Sequence, residues 1–213
     1  MGYQLRSITS VILAGGSSRR MGRDKRFIEL DGLTLFERTL SVLEKLFLEG
    51  VVVVAELTPD LPKLGHYRVV RDIIPACASL GGLYSGLFHA TQPRVFAVAC
   101  DMPFLNEAII RRMIDVGAGA DVVMVRLATG LQPMHALYSK SCLPRMRKMI
   151  DAGNLKIQQL IEAPELQVRL VEEQELQATQ DQFLSFLNVN TPADLELARK
   201  ILGGGGERPT RVR

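Results

Sequence analysis

The chain has 213 residues, 47% of them apolar and 23% charged, with a net charge of +3. That length suits one domain with a sizeable core, and the balance is that of a soluble globular protein. So small a net charge makes no case for nucleic acid as a partner. No uninterrupted apolar run reaches the roughly 18 residues of a membrane-spanning helix.

The N-terminus carries one Arg before a short apolar strand that runs into Gly-Gly and then charge, which is unlike a signal peptide. Cys77, Cys100 and Cys142 are far apart and odd in number. They fit neither a zinc spacing nor a disulfide framework, and they point to a reducing cytoplasm. They read as small, mostly buried hydrophobes.

In chain order, residues 11–14 form an apolar run that reads as a buried strand. Residues 33–47 carry apolar positions near helical spacing, with Gly50 as the stop. The continuous apolar run at 51–55 fits a parallel strand covered on both faces. A short strand follows at 67–70, then a glycine-interrupted helix at 80–90, a buried strand at 95–99, a helix at 106–116 and a strand at 122–125. This alternation predicts a three-layer α/β architecture with a mainly parallel sheet.

The second half changes character. A strand is predicted at 132–138, a basic amphipathic helix at 140–152, a strand at 166–170 with Val168 inward, a short strand at 183–187 and a helix at 191–202. Thr191 suits the N-cap, Pro192 the first turn and Asp194 the positive dipole end of that last helix. Residues 1–202 read as a single domain, and 203–213 as a basic, disordered tail.

Chemistry concentrates after the first strand. Gly15 and Gly16 are followed by Ser17-Ser18 and a basic cluster of Arg19, Arg20, Arg23 and Lys25. Glycines admit a ligand close to the backbone, and turn N–H groups can face an anion. Neither the P-loop pattern nor the Gly-x-Gly-x-x-Gly fingerprint is present. Gly-Gly alone would be only a turn, but glycines and cations in one short window favour a phosphate loop. Cys100-Asp101-Met102-Pro103 directly follows another strand, at the end of an α/β sheet where ligands bind. A carboxylate there can hold Mg²⁺ against nucleotide phosphates, with its side chain facing solvent and metal rather than the core; the plainer role is a turn or cap.

Leu13-Ala14-Gly15-Gly16, with Arg20-Met21-Gly22 and Asp24-Lys25, resembles the signature of the small nucleotidyltransferases, above all the molybdenum cofactor guanylyltransferases. Further blocks are similar. Val70-Arg71-Asp72 matches the family's Ile/Val-x-Asp at its acid, and the Cys100 to Leu105 block resembles its metal block. Leu80-Gly81-Gly82-Leu83-Tyr84-Ser85 matches a glycine block in which the usual Gly-Pro is Ala78-Ser79 here. Gln132-Pro133-Met134-His135-Ala136-Leu137-Tyr138 and Phe186-Leu187-Asn188-Val189-Asn190-Thr191-Pro192 complete the set.

The resemblance implies a three-layer α/β/α Rossmann-like nucleotidyltransferase fold. It implies transfer of GMP from GTP to molybdopterin, Mg²⁺ as cofactor, and transient contact with molybdoenzyme apo-proteins. It also implies nucleotide contacts at Leu13, Ala14, Gly15, Gly16, Lys25, Asp72, Gly81 and Gly82. Arg20, Lys25 and Asp101 are implied in catalysis, and Asp101 with Asn190 in metal binding. His135 would lie near the second substrate without a catalytic role, because attack by a phosphate needs little proton chemistry. Asn188 and Asn190, two apart, would face one side of a continuing strand. A molybdopterin cytidylyltransferase, a sugar-phosphate nucleotidyltransferase and a non-catalytic binding module are the alternatives.

Overall fold

The structure, a computed structural model, describes residues 5–15, 27–57 and 64–204. Gly16, Arg20, Lys25 and most of the C-terminal tail lie outside the described residues. A seven-stranded sheet forms the centre. Its strands are β1 (Ile8–Leu13), β4 (Gly50–Val54), β5 (Tyr67–Arg71), β6 (Arg94–Ala99), β7 (Val122–Leu127), β8 (Gly130–Ser139) and β9 (Val168–Glu172). They lie in the order β5-β4-β1-β6-β8-β7-β9. Only β8 runs against the rest, being antiparallel to both β6 and β7. The three-layer, mainly parallel α/β reading is therefore what the chain adopts.

The continuous apolar runs have a direct cause. Ile8 and Ile12 of β1 enter the core on one face, and Val11 and Leu13 on the other. Val52 and Val54 are split from Val51 and Val53 in the same way, and Phe96 and Val98 from Val95 and Ala97. A strand covered on both faces has no solvent side for polar residues.

Helices α1 (Leu35–Leu46) and α3 (Glu107–Val116) cover one face, through Phe36, Leu40, Leu43, Ile109, Ile110 and Met113. Helices α2 (Ala78–His89) and α4 (Leu143–Asp151) cover the other, through Leu80, Leu83, Leu87, Met146 and Met149. A last helix, α5 (Pro192–Leu202), packs Ala198 into a small third core with Ile28, Leu30, Leu35 and Val189. No described helix is long and apolar enough to cross a membrane.

Helices α1, α3 and α5 start at their capping residues. Thr34 Oγ1 accepts the Glu37 N–H at 3.1 Å while the Glu37 carboxylate accepts the Thr34 N–H at 2.8 Å, a reciprocal box at the start of α1. Thr191 and Asp194 repeat it before α5, with Pro192 in the first turn. Asn106 caps α3 by accepting from Ala108 N–H and Ile109 N–H.

Several predicted elements are corrected. Residues 33–34 do not open the first helix. They form β3 (Leu33–Thr34), paired antiparallel with β2 (Glu29–Leu30) across Asp31-Gly32. Those two residues have φ of 54° and 76°, the left-handed pair that a two-residue hairpin turn needs. Gly50 does not stop the helix, which is closed by Phe47 N–H on Leu43 O. Gly50 opens β4, because a Cβ there would sit 2.0 Å from the Tyr67 ring.

Residues 140–152 split into a 3₁₀ turn, Lys140–Cys142, and α4, with Pro144 in the first turn of the helix. The strand predicted at 166–170 is β9, shifted by two, in which Val171 is fully buried and Val168 half-buried. Residues 183–187 form no strand. Gln182–Phe186 is a 3₁₀ turn that buries the consecutive Ser185 and Phe186, which a strand would send to opposite faces. Asn188 and Asn190 are in no strand either.

Tyr67 is 6% exposed and its hydroxyl bonds Ser10, so its ring has little room to retreat from residue 50. Gly50→Ala is expected to lower stability by about 1–3 kcal/mol through overpacking. Urea unfolding checks this, and Tyr67→Leu in the same chain should recover part of the loss.

Candidate active site

The strand order reverses around β1. From β1 the chain moves outward through β4 and β5, then returns to β6 on the other side. Such a switch point opens a crevice beyond the carboxyl ends of the strands. The pairing fixes what meets there. Leu13 is level with Val53 and Ala99, Ala14 N–H donates to Val53 O at 2.8 Å, and Cys100 N–H donates to Leu13 O at 3.1 Å. Gly15 and Asp101 therefore leave from adjacent strand ends.

A cleft of about 630 Å³ occupies one side of this junction. Leu13 lines it from β1 with Gly15 just beyond, Val53 and Val54 from β4 with Ala55 just beyond, and Asp72 from the end of β5. Ala76, Ala78, Ser79 and Gly82 close it from the start of α2. A Cβ on Gly15 would lie 3.0 Å from Ala55 N, so the glycine lets two backbones converge at the cleft wall. Ala76 and Ala78 have φ of 68° and 49°, the left-handed region where a Cβ costs about 1–2 kcal/mol. The loop thus holds a glycine-like shape although Ala78 stands where glycine is usual. Backbone held so against its preference is concentrated at binding sites.

Asp72 is tied to the loop it starts. Its Oδ1 accepts the Ile74 N–H at 2.9 Å and lies 2.7 Å from the Ser85 hydroxyl. Gly82 lines the cleft, whereas Gly81 is packed against the loop: a Cβ there would meet Ile74 O at 2.6 Å and Asp72 Oδ2 at 3.3 Å.

Asp101 sits just beyond β6 and is 8% exposed. The expectation of a solvent-facing carboxylate is corrected to a buried one. Its turn is braced from two elements. Thr39 in α1, fully buried, has its hydroxyl 3.1 Å from Met102 O, and Val189 N–H donates to Asp101 O at 2.9 Å. The second bond brings the segment bearing Asn190 to Asp101. Asn190 N–H donates to Asp194 Oδ2, and Asn188 Nδ2 donates to Phe186 O. Among the described residues no three His, Cys, Asp or Glu side chains cluster as a metal cage. A carboxylate such as Asp101 suits a hard cation that keeps waters and phosphate oxygens as its other ligands.

His135 is corrected. It lies in β8 opposite Val98, fully buried, and is not part of the cleft lining. Its Nε2 is 2.9 Å from Ser185 Oγ, and its ring packs edge-on to Phe96 and against Phe186. Ser185 Oγ also accepts the Asn106 N–H at 2.9 Å. His135 therefore joins β8 to the start of α3 and stands outside the described lining of the cleft. Thr39 and Ser85, which hold the two acid-bearing turns, escape the sequence. A hydroxyl inside an apolar helix face is the one signal that could have marked them.

The model of the MobA-like NTP transferase domain matches residues 10–170. A probable molybdenum cofactor guanylyltransferase from Pelotomaculum thermopropionicum is 37% identical over 191 residues, covering 90% of this chain and 91% of that one. The molybdenum cofactor guanylyltransferase of Desulfosudis oleivorans is 35% identical over 202 residues, covering 93% and 98%. Among solved structures, molybdopterin-guanine dinucleotide biosynthesis protein A from Archaeoglobus fulgidus superposes with a TM-score of 0.79 at 25% identity, covering 92% and 100%.

Burial depresses the His135 pKa from 6.5 to about 3. The unfolded chain then binds a proton that the folded chain refuses between those values, so this residue makes stability fall as pH falls from 6.5 toward 3. The slope approaches about 1.4 kcal/mol per pH unit inside that window. His135→Gln is expected to flatten this part of the stability–pH curve, measured by denaturant unfolding from pH 7 to pH 4.

Proposed function

The chain belongs to the MobA-like NTP transferase domain family, and on that premise we propose that it transfers GMP from GTP to the terminal phosphate of molybdopterin, releasing pyrophosphate. One observation carries the reading. The nucleotide-sized cleft at the sheet's switch point has Asp72 on its wall, while Asp101 follows the strand next to β1. The family supplies the substrates, and the cleft with its two nearby acids supports the reading.

In this reading a phosphate oxygen of molybdopterin attacks the α-phosphorus of GTP in line. The bond to the bridging oxygen of the β-phosphate breaks, and pyrophosphate leaves with that electron pair. The attacker is already an anion, so the protein needs no general base, and its task is to position and neutralise. Leu13, Gly15 and Gly82 line the part of the cleft in which the base or ribose would lie. Asp72 offers a carboxylate to the donor edge of guanine, its N1–H and 2-amino group. Arg20 and Lys25, which follow Gly15 in the sequence, would neutralise charge on the leaving phosphates. Asp101 and Asn190 would hold Mg²⁺, which when bound offsets the negative charge of the phosphates. The braces on Cys100 to Met102, from Thr39 and Val189, keep Asp101 in one place before substrate arrives.

Two measurements test the proposal. Asp101→Asn conserves shape, so the melting temperature is expected to hold while pyrophosphate release falls by at least about a hundredfold. Near wild-type turnover at saturating Mg²⁺ would remove Asp101 from the reaction. Nucleotide preference is the second. GTP at a hundred times its Kd is expected to stabilise the fold by about 2.7 kcal/mol, raising Tm by about 5–10 °C. ATP and CTP at the same concentration should do far less. Equal shifts from all three would defeat the guanine reading, and a larger shift from CTP would select a cytidylyltransferase.

A further inference from the structure

Ser85 lies in the middle of α2 with no exposure to solvent, yet it carries a hydroxyl. Its oxygen accepts the Ile73 N–H at 3.0 Å, and it stands 2.7 Å from Asp72 Oδ1 and 2.9 Å from the Gly81 carbonyl. A hydroxyl has one proton to give. A carboxylate oxygen is the stronger acceptor, because bonds to charged groups are roughly twice as strong as neutral ones. The proton therefore goes to Asp72.

Oδ1 then holds two bonds, one from Ser85 and one from Ile74 N–H, which come from a helix and from the loop respectively. Oδ2 takes none among the described residues. One donor alone would leave the carboxylate free to rotate about its Cβ–Cγ bond, whereas two donors from different elements fix its plane. Gly81 completes the seat. A side chain there would press within 3.3 Å of Oδ2 and drive into Ile74 O at 2.6 Å.

We propose that Ser85 is a positioning residue for base selection. It saturates Oδ1 of Asp72 and fixes the carboxylate so that Oδ2 alone is presented to the donor edge of guanine. This rests on the reading of Asp72 as the guanine acceptor. A fixed anion discriminates more sharply than a mobile one. Adenine turns a lone pair toward the same oxygen, and a carboxylate that cannot swing away cannot relieve that repulsion. A rotating carboxylate would both hold guanine less well and tolerate adenine better.

The test is direct titration of GTP and ATP against the wild-type protein and Ser85→Ala, with melting temperatures alongside. The ratio of the ATP to the GTP dissociation constant is expected to fall at least about tenfold in Ser85→Ala, the loss of one charge-assisted bond's selectivity. Ser85→Thr, which keeps the hydroxyl, should restore the wild-type ratio. If Ser85→Ala does not fold, Ser85→Cys has nearly the same volume and a weak donor, and should show the same fall. An unchanged ratio, with both nucleotides weakened equally or only the melting temperature lowered, would make Ser85 a packing residue and overturn the inference. Asp72→Asn separates the two levels. If it collapses the ratio while the Ser85 variants do not, the Asp72 reading stands and the Ser85 inference falls. If Asp72→Asn leaves the ratio intact, both fall.

Discussion

Parallel pairing of β1 with a strand on each side is the constraint on which the rest depends. Cys100 N–H on Leu13 O and Ala14 N–H on Val53 O tie three strand ends into one level. Each strand is buried on both faces, so a slip by one residue would exchange its two core surfaces. Val11 and Leu13 would then meet α1 instead of α2, and the register is fixed by that mismatch. Backbone hydrogen bonds thus place Gly15, Ala55 and Asp101 without any of their side chains taking part.

Around that level the two acids are held by different means. The Asp72 turn is bound by side chain to helix α2, through Ser85. The Asp101 turn is bound through its main chain, by Thr39 from α1 and by Val189 from the segment before α5. His135, Ser185 and Asn106 extend the second brace to the start of α3. Helices on both faces of the sheet therefore converge on its carboxyl end, one layer securing each acid. This gives a physical reason for a fully buried polar histidine in β8. Its hydrogen bond joins the antiparallel strand to the 3₁₀ turn that precedes Asn188 and Asn190.

Much of this is legible in the amino-acid sequence, for identifiable reasons. Residues 51–55 and 95–99 announce buried strands because a two-sided strand has only apolar positions. Thr191-Pro192-Ala193-Asp194 announces a helix because its cap is made by those same residues. Asp31-Gly32 carries a hairpin signal too, but apolar spacing across residues 33–47 masks it. Tertiary contacts are where local reading stops. Gly50 looks like a helix stop until the Tyr67 ring occupies the place of its side chain. Residues 183–187 look like a strand because both states accept Phe and Leu, and no neighbouring strand waits for them. Asp72 and Asp101 are readable as acids at strand ends. Ser85 and Thr39 are not, since their partners lie on other elements.

The sheet's order leaves β5 and β9 as its two outer strands. Each is only five residues long, and each carries charge: Arg68 and Arg71 on one, Arg169 and Glu172 on the other. Arg68 is paired with Glu49 at 3.2 Å and Glu172 with Arg126 at 3.1 Å. A second molecule adding its own strand to either border would have to strip water from these ions and displace their partners. A protein whose centre is so rich in valine is thereby kept from polymerising through its sheet. This protection resides in the charged side chains of the two outermost strands.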